Sequence, residues 1–416
     1  MKVGLGRVPG PPLLLPVEIV EVIVDYVARR SESQSRQGDL WSLCLVSRDW
    51  YSVSVPHLYS RPVLGPRNFE LFTRTLCPPV NSRVRAIGLE DLVKELHLGD
   101  LAYVTSRSMT ARLLRRTRTS LTTLVTPSHS MSTSSLAPIS KMASLQHLDL
   151  SRDKYDFDIC ALTRAVQPVT TLRFLSLPRG ILNTYPDSPA SGRCAWSPAL
   201  EYLEVNNTVP HLQSQWRNFI TGLPQSLRIL SFQHLRQNTQ FGGIIDLGVE
   251  APQVASLAIQ GAEGVDCMLF NGIDLSALLQ VFPGLIELTL PETALLSPLF
   301  YSYREEKFGI LGRRLQALRF RVVQALGTPG PTGIVERALV DLAASFAQIQ
   351  SIEISTAYAF ASPTAVSASH ELLQQRWPQE PKEAKGIFIV GQTSGTTSRW
   401  RWNPMFDEGT ESTPSR

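Results

Sequence analysis

Among side chains able to do chemistry, His147 and Asp149 stand two residues apart in LQHLDL, a spacing that on a strand points both to one face. A base held by a carboxylate needs a nucleophile to activate, and none is placed beside this pair, so the favoured reading is two polar side chains turned to solvent. The sequence has no G-x-S-x-G elbow, no phosphate-cradling glycine loop with lysine and no H-E-x-x-H, and GQTSG from Gly391 has the wrong spacing. Cys44, Cys77, Cys160, Cys194 and Cys267 are odd in number and contain no C-x-x-C pair. They are expected to be buried free thiols rather than zinc ligands or a disulfide frame. No catalytic residue, metal site or cofactor is therefore expected.

A local basic run holds Arg107, Arg112, Arg115, Arg116 and Arg118. An import signal, a phosphate contact and the solvated face of a helix are the readings, and the helix face is favoured. Leu113 and Leu114 interrupt the run, and no aromatic residue interleaves for base stacking. Over 416 residues, 40 Lys+Arg and 36 Asp+Glu leave a net charge of +4, too little to mark a nucleic-acid or membrane partner. With 43% hydrophobic and 18% charged residues the chain is of ordinary globular composition. No run approaches the roughly 18 apolar residues of a membrane span. Pro9, Pro11, Pro12 and Pro16 break any helical leader, so no signal peptide is read and the cytoplasm or nucleus is expected.

Residues 13–28, LLLPVEIVEVIVDYVA, place Ile19, Val20, Ile23, Val24 and Val27 on one helical face. Pro16 suits a helix start, and Glu18 and Glu21 lie near the positive end of the dipole. The polar spacer SESQSRQG leads to DLWSLCLVSRDWYSVSVPHLY, where Asp39 should cap a helix carrying Leu40, Leu43 and Cys44, and Pro56 should end the segment. Leu15, Pro16, Glu18 and Ile19, then Leu40, Leu43, Leu45, Val46, Ser47, Arg48 and Trp50, and finally Pro56, Leu58 and Tyr59 resemble the F-box family in order and distance. That resemblance implies a three-helix module that docks onto the Skp adaptor and through it onto a cullin ubiquitin ligase. Its apolar docking surface would be Leu15, Pro16, Ile19, Val20, Leu43 and Val46, with Trp50 as internal packing. A plain cap on the following domain is the alternative. A piece of about 45 residues buries too little to be robust alone, so its apolar surplus must cover a partner or the next domain.

The rest of the chain repeats L-x-x-L-x-L, beginning at Val93, Leu121, Leu145, Leu172, Leu200, Leu227, Val254, Leu285, Leu315 and Ile349, at steps of 24 to 34 residues. Helical periodicity intervenes, as in Leu212, Trp216, Phe219, Ile220 and Leu223, and in Val335, Leu339, Leu342 and Phe346. Strand and helix in alternation imply a parallel sheet with helices on one side. The array resembles the leucine-rich-repeat family. The Asn or Cys of that family after each strand is replaced by Asp153, Gly180, Thr208, Leu235, Ala262 and Thr293, so backbone groups at the turns need other partners and an irregular solenoid is expected.

The fold class is thus α/β, a three-helix F-box followed by a parallel β/α repeat solenoid. The expected divisions are a flexible start (1–10), the helical module (11–62), a linker or cap (63–90), the solenoid (91–360), a C-terminal cap with a helix and a hairpin of GIFIVG with SRWRW (361–404), and a disordered tail (405–416). On the concave face the outward positions include Glu95, His97, Gln233, Gln260 and Glu353, with His147, Asp149, Phe174, Tyr202, Glu204, Asn206, Glu287, Arg319 and Arg321 as candidates to hold a protein target. The face should be acidic and aromatic, turning basic near Arg319. The function this implies is a non-catalytic substrate-recognition subunit of a Skp/cullin/F-box ubiquitin ligase, with a ligase-independent repeat scaffold as the alternative.

Overall fold

The computed structural model describes residues 15–78, 88–99, 101, 107–126, 133–153, 158–179, 194–206, 219–235, 242–261, 275–291, 294–295, 312–321, 332–355, 363–379, 381, 384–393 and 396–401. The expected termini at 1–10 and 405–416 lie outside these residues, as do Leu212, Trp216 and Cys267.

Three helices open the chain: α1 (Val17–Ala28), α2 (Ser33–Cys44) and α3 (Arg48–Ser60). Pro16 precedes the first turn of α1, and its carbonyl accepts from Ile19 and Val20 N–H at 3.0 and 3.2 Å. Val20, Val24 and Leu40 close a small core of their own, against which Val27, Leu43, Trp50, Val53 and Leu58 pack. Three details differ from expectation. The spacer is mostly helical, because α2 begins at Ser33; Asp39 therefore sits inside α2 and caps nothing, pairing with Arg30 at 2.6 Å. Helix α3 starts instead on Ser47, whose Oγ accepts from Trp50 N–H at 3.4 Å. Pro56 lies inside α3, which runs on to Ser60.

Helix α4 (Phe69–Leu76) leads to a single sheet whose strands follow chain order. They are β1 (Glu95–His97), β2 (Thr123–Val125), β3 (His147–Asp149), β4 (Phe174–Ser176), β5 (Tyr202–Asn206), β6 (Ile229–Leu235), β7 (Ser256–Gly261), β8 (Glu287–Pro291), β9 (Ala317–Arg321), β10 (Ser351–Ser355), β11 (Gly386–Thr393) and β12 (Thr396–Arg401). The first eleven pair in parallel, and β12 turns back antiparallel on β11. Between strands lie α5 (Arg107–Thr117), α6 (Thr133–Ile139), α7 (Ile159–Val166), α8 (Gly242–Glu250), α9 (Leu275–Val281), α10 (Thr332–Ser345) and α11 (Pro363–Arg376). The first and fourth positions of every L-x-x-L-x-L motif, from Val93 and Leu96 to Ile349 and Ile352, are at most 1% exposed. They share one continuous core with helix residues such as Leu113, Leu162, Leu279 and Leu339. No repeat could bury that face alone, which is why the units stack.

One backbone row threads the stack. The carbonyl of Lys94 accepts from both Thr122 and Thr123 N–H at 2.8 and 3.1 Å, that of Thr122 from Gln146 and His147, and the pattern recurs through Gln146, Arg173, Glu201, Arg228, Ala255, Ile286 and Gln316 to Gln350, which accepts from Gly386. Against the expectation of irregularity, the register along this row is even, with a shift only between Phe232 and Leu235 where β6 meets β7. The unevenness is in the helices, which run from 7 residues in α6 to 14 in α10.

Side chains supply partners for the carbonyls that precede the strands. Ser120 Oγ donates to Val93 O at 2.8 Å, Thr171 Oγ1 to Leu145 O at 2.8 Å, Ser197 Oγ to Val169 O at 2.7 Å and Ser226 Oγ to Leu200 O at 2.8 Å. After the strands, Asn206 reaches back to Leu177 O at 2.9 Å, and Asp153 is fully buried; Gly180, Thr208, Ala262 and Thr293 lie outside the described residues. Replacing Leu203, which is 0% exposed in the middle of the stack, by Ala should lower stability by about 3 kcal/mol. Ser226→Ala should cost about 1 kcal/mol, both measured by urea unfolding followed by circular dichroism.

Candidate functional site

The helical module presents apolar groups on two sides. Its inner side is the core just described. On its outer side, Leu15, Ile19, Val22 and Tyr26 follow one another at helical spacing and are 49%, 47%, 66% and 71% exposed. Leu45 and Val46, between α2 and α3, add 66% and 62%, and Val17, Trp41 and Tyr51 are exposed as well. Of the fourteen large hydrophobic residues exposed among the described residues, nine lie between Leu15 and Tyr51. Leu15, Pro16, Ile19 and Val46 thus face solvent. Val20 does not: at 1% exposure it is inside the three-helix core, because the face it shares with Val24 is the one that packs on Leu40. Leu43 is half-buried against the same core. Val22 and Tyr26, outside the motif, and Leu45, in the motif but not among the expected docking residues, belong to the outer surface as well. An open groove of about 950 Å³ lies beside the module, between α2, the end of α3 and α4, with Trp41, Tyr59, Leu71 and Phe72 among its lining residues.

The second surface is the open face of the sheet. Parallel register sets His147, Phe174 and Tyr202 side by side on β3, β4 and β5. Their rings stack at 3.8 and 4.2 Å between centroids, within 5° and 15° of parallel. Burial in the stack lowers the pKa of His147, opposed by the neighbouring Asp149 carboxylate. Beneath them Glu204 accepts from the Tyr202 hydroxyl at 2.9 Å, from Ser176 Oγ at 2.7 Å and from Asn206 Nδ2 at 3.0 Å. Burial, then the Glu204 charge, pushes the Tyr202 phenol well up, so it stays a donor at neutral pH. Asn206 is 1% exposed and ties strands together; it is not open to a partner as its strand position suggested.

Further along, Arg319 lies between two carboxylates, 2.7 Å from Glu287 and 3.3 Å from Glu353, and Arg321 is 3.2 Å from Glu353. The hydrogen bond to Glu287 raises the Arg319 pKa further. The face therefore does not turn basic there: two cations and two anions neutralise one another, because residues one repeat apart come into register across neighbouring strands.

Among the described residues of the two surfaces no nucleophile is set beside a base. Cys160 and Cys194 place their Sγ atoms 3.9 Å apart as free thiols, and burial pushes Cys194 up to about 12, which denies it thiolate character. Among the described residues no group of three His, Cys, Asp or Glu is arranged to hold a metal, and no helix is long and apolar enough to cross a membrane. In the basic run, Leu113 and Leu114 are 0% exposed while Arg112, Arg115 and Arg116 are exposed; Arg112 donates to Cys77 O at 3.2 Å and Arg116 lies 3.7 Å from Glu90.

Two measurements follow from these placements. Leu40→Ala should destabilise the module by about 3 kcal/mol while Ile19→Ala should leave it within about 0.5 kcal/mol, checked by thermal unfolding. Because folding depresses the His147 pKa, the unfolded chain binds the extra proton first. The stability attributable to the neutral ring should be present above pH about 6.5 and be lost as pH falls through the unfolded value toward the lower folded one. His147→Phe should flatten that part of the urea-unfolding profile.

No family model matches the chain. It is 26% identical over 224 residues to the F-box protein YDR306C of Saccharomyces cerevisiae, a match covering 51% of this chain and 45% of that protein, so the chain spans less than half the length of that relative. It is 23% identical over 299 residues to Protein pof5 of Schizosaccharomyces pombe, covering 70% of this chain and 77% of that one. Among solved structures, the yeast Rad7 and Elc1 complex overlays 91% of this chain on 94% of the matched chain at 13% identity and a TM-score of 0.41, too loose a fit for residue-by-residue comparison. In its motifs, its order of helices and repeats and its curated relatives, the chain is similar to the F-box proteins with leucine-rich repeats.

Proposed function

We propose that this chain is the substrate-recognition subunit of a Skp/cullin/F-box type ubiquitin ligase, with the three-helix module docking the adaptor and the open sheet face holding a protein target. The observation that carries this reading is the outer stripe of the module. A small unit that has already closed its own core has no internal use for Leu15, Ile19, Val22, Tyr26, Leu45 and Val46 in water, and such a patch is the usual mark of a protein interface. The rival scaffold reading would be favoured by Leu15 and Pro16 buried against the repeats; both are exposed.

The chemistry in this reading belongs to the ligase partners. The chain itself contributes proximity: holding a target beside the charged ubiquitin carrier raises the effective concentration of its lysines and turns an encounter into an intramolecular step. Rigid attachment of module to repeats suits that task. Lys94 N–H donates to Ser60 O at the end of α3 at 2.9 Å, Arg61 lies 2.9 Å from Glu95 on β1, and Tyr59 stacks on Phe72 of α4.

Co-purification with a Skp adaptor tests the reading. Truncating a central apolar anchor commonly costs about 2 kcal/mol, so Leu15→Ala with Ile19→Ala should weaken capture by well over tenfold. Circular dichroism of the variant should match the wild type, since both side chains lie outside the core. A folded wild type that captures no adaptor would sink the proposal.

A further inference from the structure

The third and fifth motif positions, which face away from the core, carry five carboxylates among the described residues: Glu95, Asp149, Glu204, Glu287 and Glu353. Three are answered by a cation: Glu95 by Arg61 at 2.9 Å, Glu287 by Arg319 at 2.7 Å and Glu353 by Arg319 and Arg321 at 3.3 and 3.2 Å. Asp149 and Glu204 have no cation within salt-bridge distance among the described residues. The exposed Arg152, which follows Asp149 in sequence, runs toward the end of β1, where its side chain occupies the space a Cβ at Gly99 would need. The two unanswered anions are also the two that border the ring stack. They share one register row, Asp149, Ser176 and Glu204, two strands apart and so about 10 Å from each other.

The neighbouring row runs His147, Phe174, Tyr202 and Ile229, the last 38% exposed. Because the three rings stack face to face, they turn their edges rather than their faces outward, an apolar rim suited to methylene chains and not to a cation over a ring. Beyond Glu204 the fifth-position row continues as Ser231, Ala258 and Thr289, so the floor is low until the Glu287 and Arg319 pair closes it. Glu204 is held in place by three donors, from Tyr202, Ser176 and Asn206, so its orientation is set before anything binds.

We infer that the aromatic row and the two carboxylates beside it dock an extended basic segment of a target protein, lysine or arginine heads meeting Asp149 and Glu204 and their aliphatic stems lying along Phe174, Tyr202 and Ile229. This rests on the proposed function for the identity of the occupant as a target and deepens it by naming its chemistry. Charge complementarity carries the argument: a sheet that pairs its other outward carboxylates leaves these two open where it also offers an apolar rim. In an extended polyproline II backbone one turn of three residues spans about 9 Å and returns to the same face, so cations three apart would reach both.

The test is fluorescence anisotropy with the full chain and a fluorescein-labelled peptide carrying two arginines separated by two alanines, beside the same peptide with glutamates in place of the arginines. The wild type should bind the basic probe, more tightly at low ionic strength, and not the acidic one. Asp149→Asn with Glu204→Gln should weaken binding by about tenfold, and Asp149→Asn alone, which disturbs one contact to Ser151 N–H, by about threefold. Glu250→Gln on α8, which removes one charge elsewhere, should change nothing. Failure of the wild type to bind, equal binding of the acidic probe, or full binding by folded carboxylate variants overturns the inference. Adaptor capture by the double variant is measured in parallel. Retained capture with lost peptide binding supports both readings. Peptide binding without adaptor capture by the wild type removes the ligase reading and leaves this surface standing.

Discussion

One carbonyl in each repeat accepts two N–H groups of the next, and the rest of the molecule depends on that row. It runs from Lys94 to Gln350 and ends on Gly386, and it begins one step earlier, where Ser60 of α3 accepts from Lys94. A strand of a parallel sheet cannot slip by one residue without moving outward side chains inward. Because this row ties the residue just before each strand to its neighbour, every third motif position lands beside the next third position. The stack of His147, Phe174 and Tyr202 and, two residues further along the motif, the facing of Arg319 by Glu353 both follow from that bookkeeping of backbone donors.

Much of this was legible in the sequence, for a physical reason. The motif positions are written in leucine because they must be dry, and dryness has few spellings; the pattern alone assigns Val93, Leu124, Leu203 and Ile352 inward, and each is 0% exposed. The outward positions were harder. A strand position says which way Asn206 or Arg319 points from the sheet but not what stands on the neighbouring strand. Thus an arginine read as the start of a basic region proved to be neutralised, and an asparagine read as exposed proved to be a buried tie.

The helical module shows the same limit in another form. Helical periodicity puts Ile19, Val20, Ile23, Val24 and Val27 on one face, but of these Val20, Val24 and Val27 pack into the module itself while Ile19 is exposed on the outer side, because periodicity alone does not say which edge of a stripe faces a partner. The partner-like stripe is the weaker-looking one, Leu15, Ile19, Val22 and Tyr26, interrupted in sequence by Glu18, Glu21 and Asp25. Helix limits also escaped the pattern, since a polar spacer can be helical when neighbouring residues pack, and Pro56 is accommodated inside α3.

The join between α3 and β1 gives the molecule a scale of length. With Ser60 hydrogen-bonded to Lys94 and Arg61 paired with Glu95, the helices are fastened to the first strand and not tethered to it. Each further strand adds about 4.8 Å, so β5, four strands on, stands about 19 Å from β1. Whatever sits on the open face is therefore held at a distance set by which repeat it touches, and the sheet acts as a graduated ruler whose zero is the helical module.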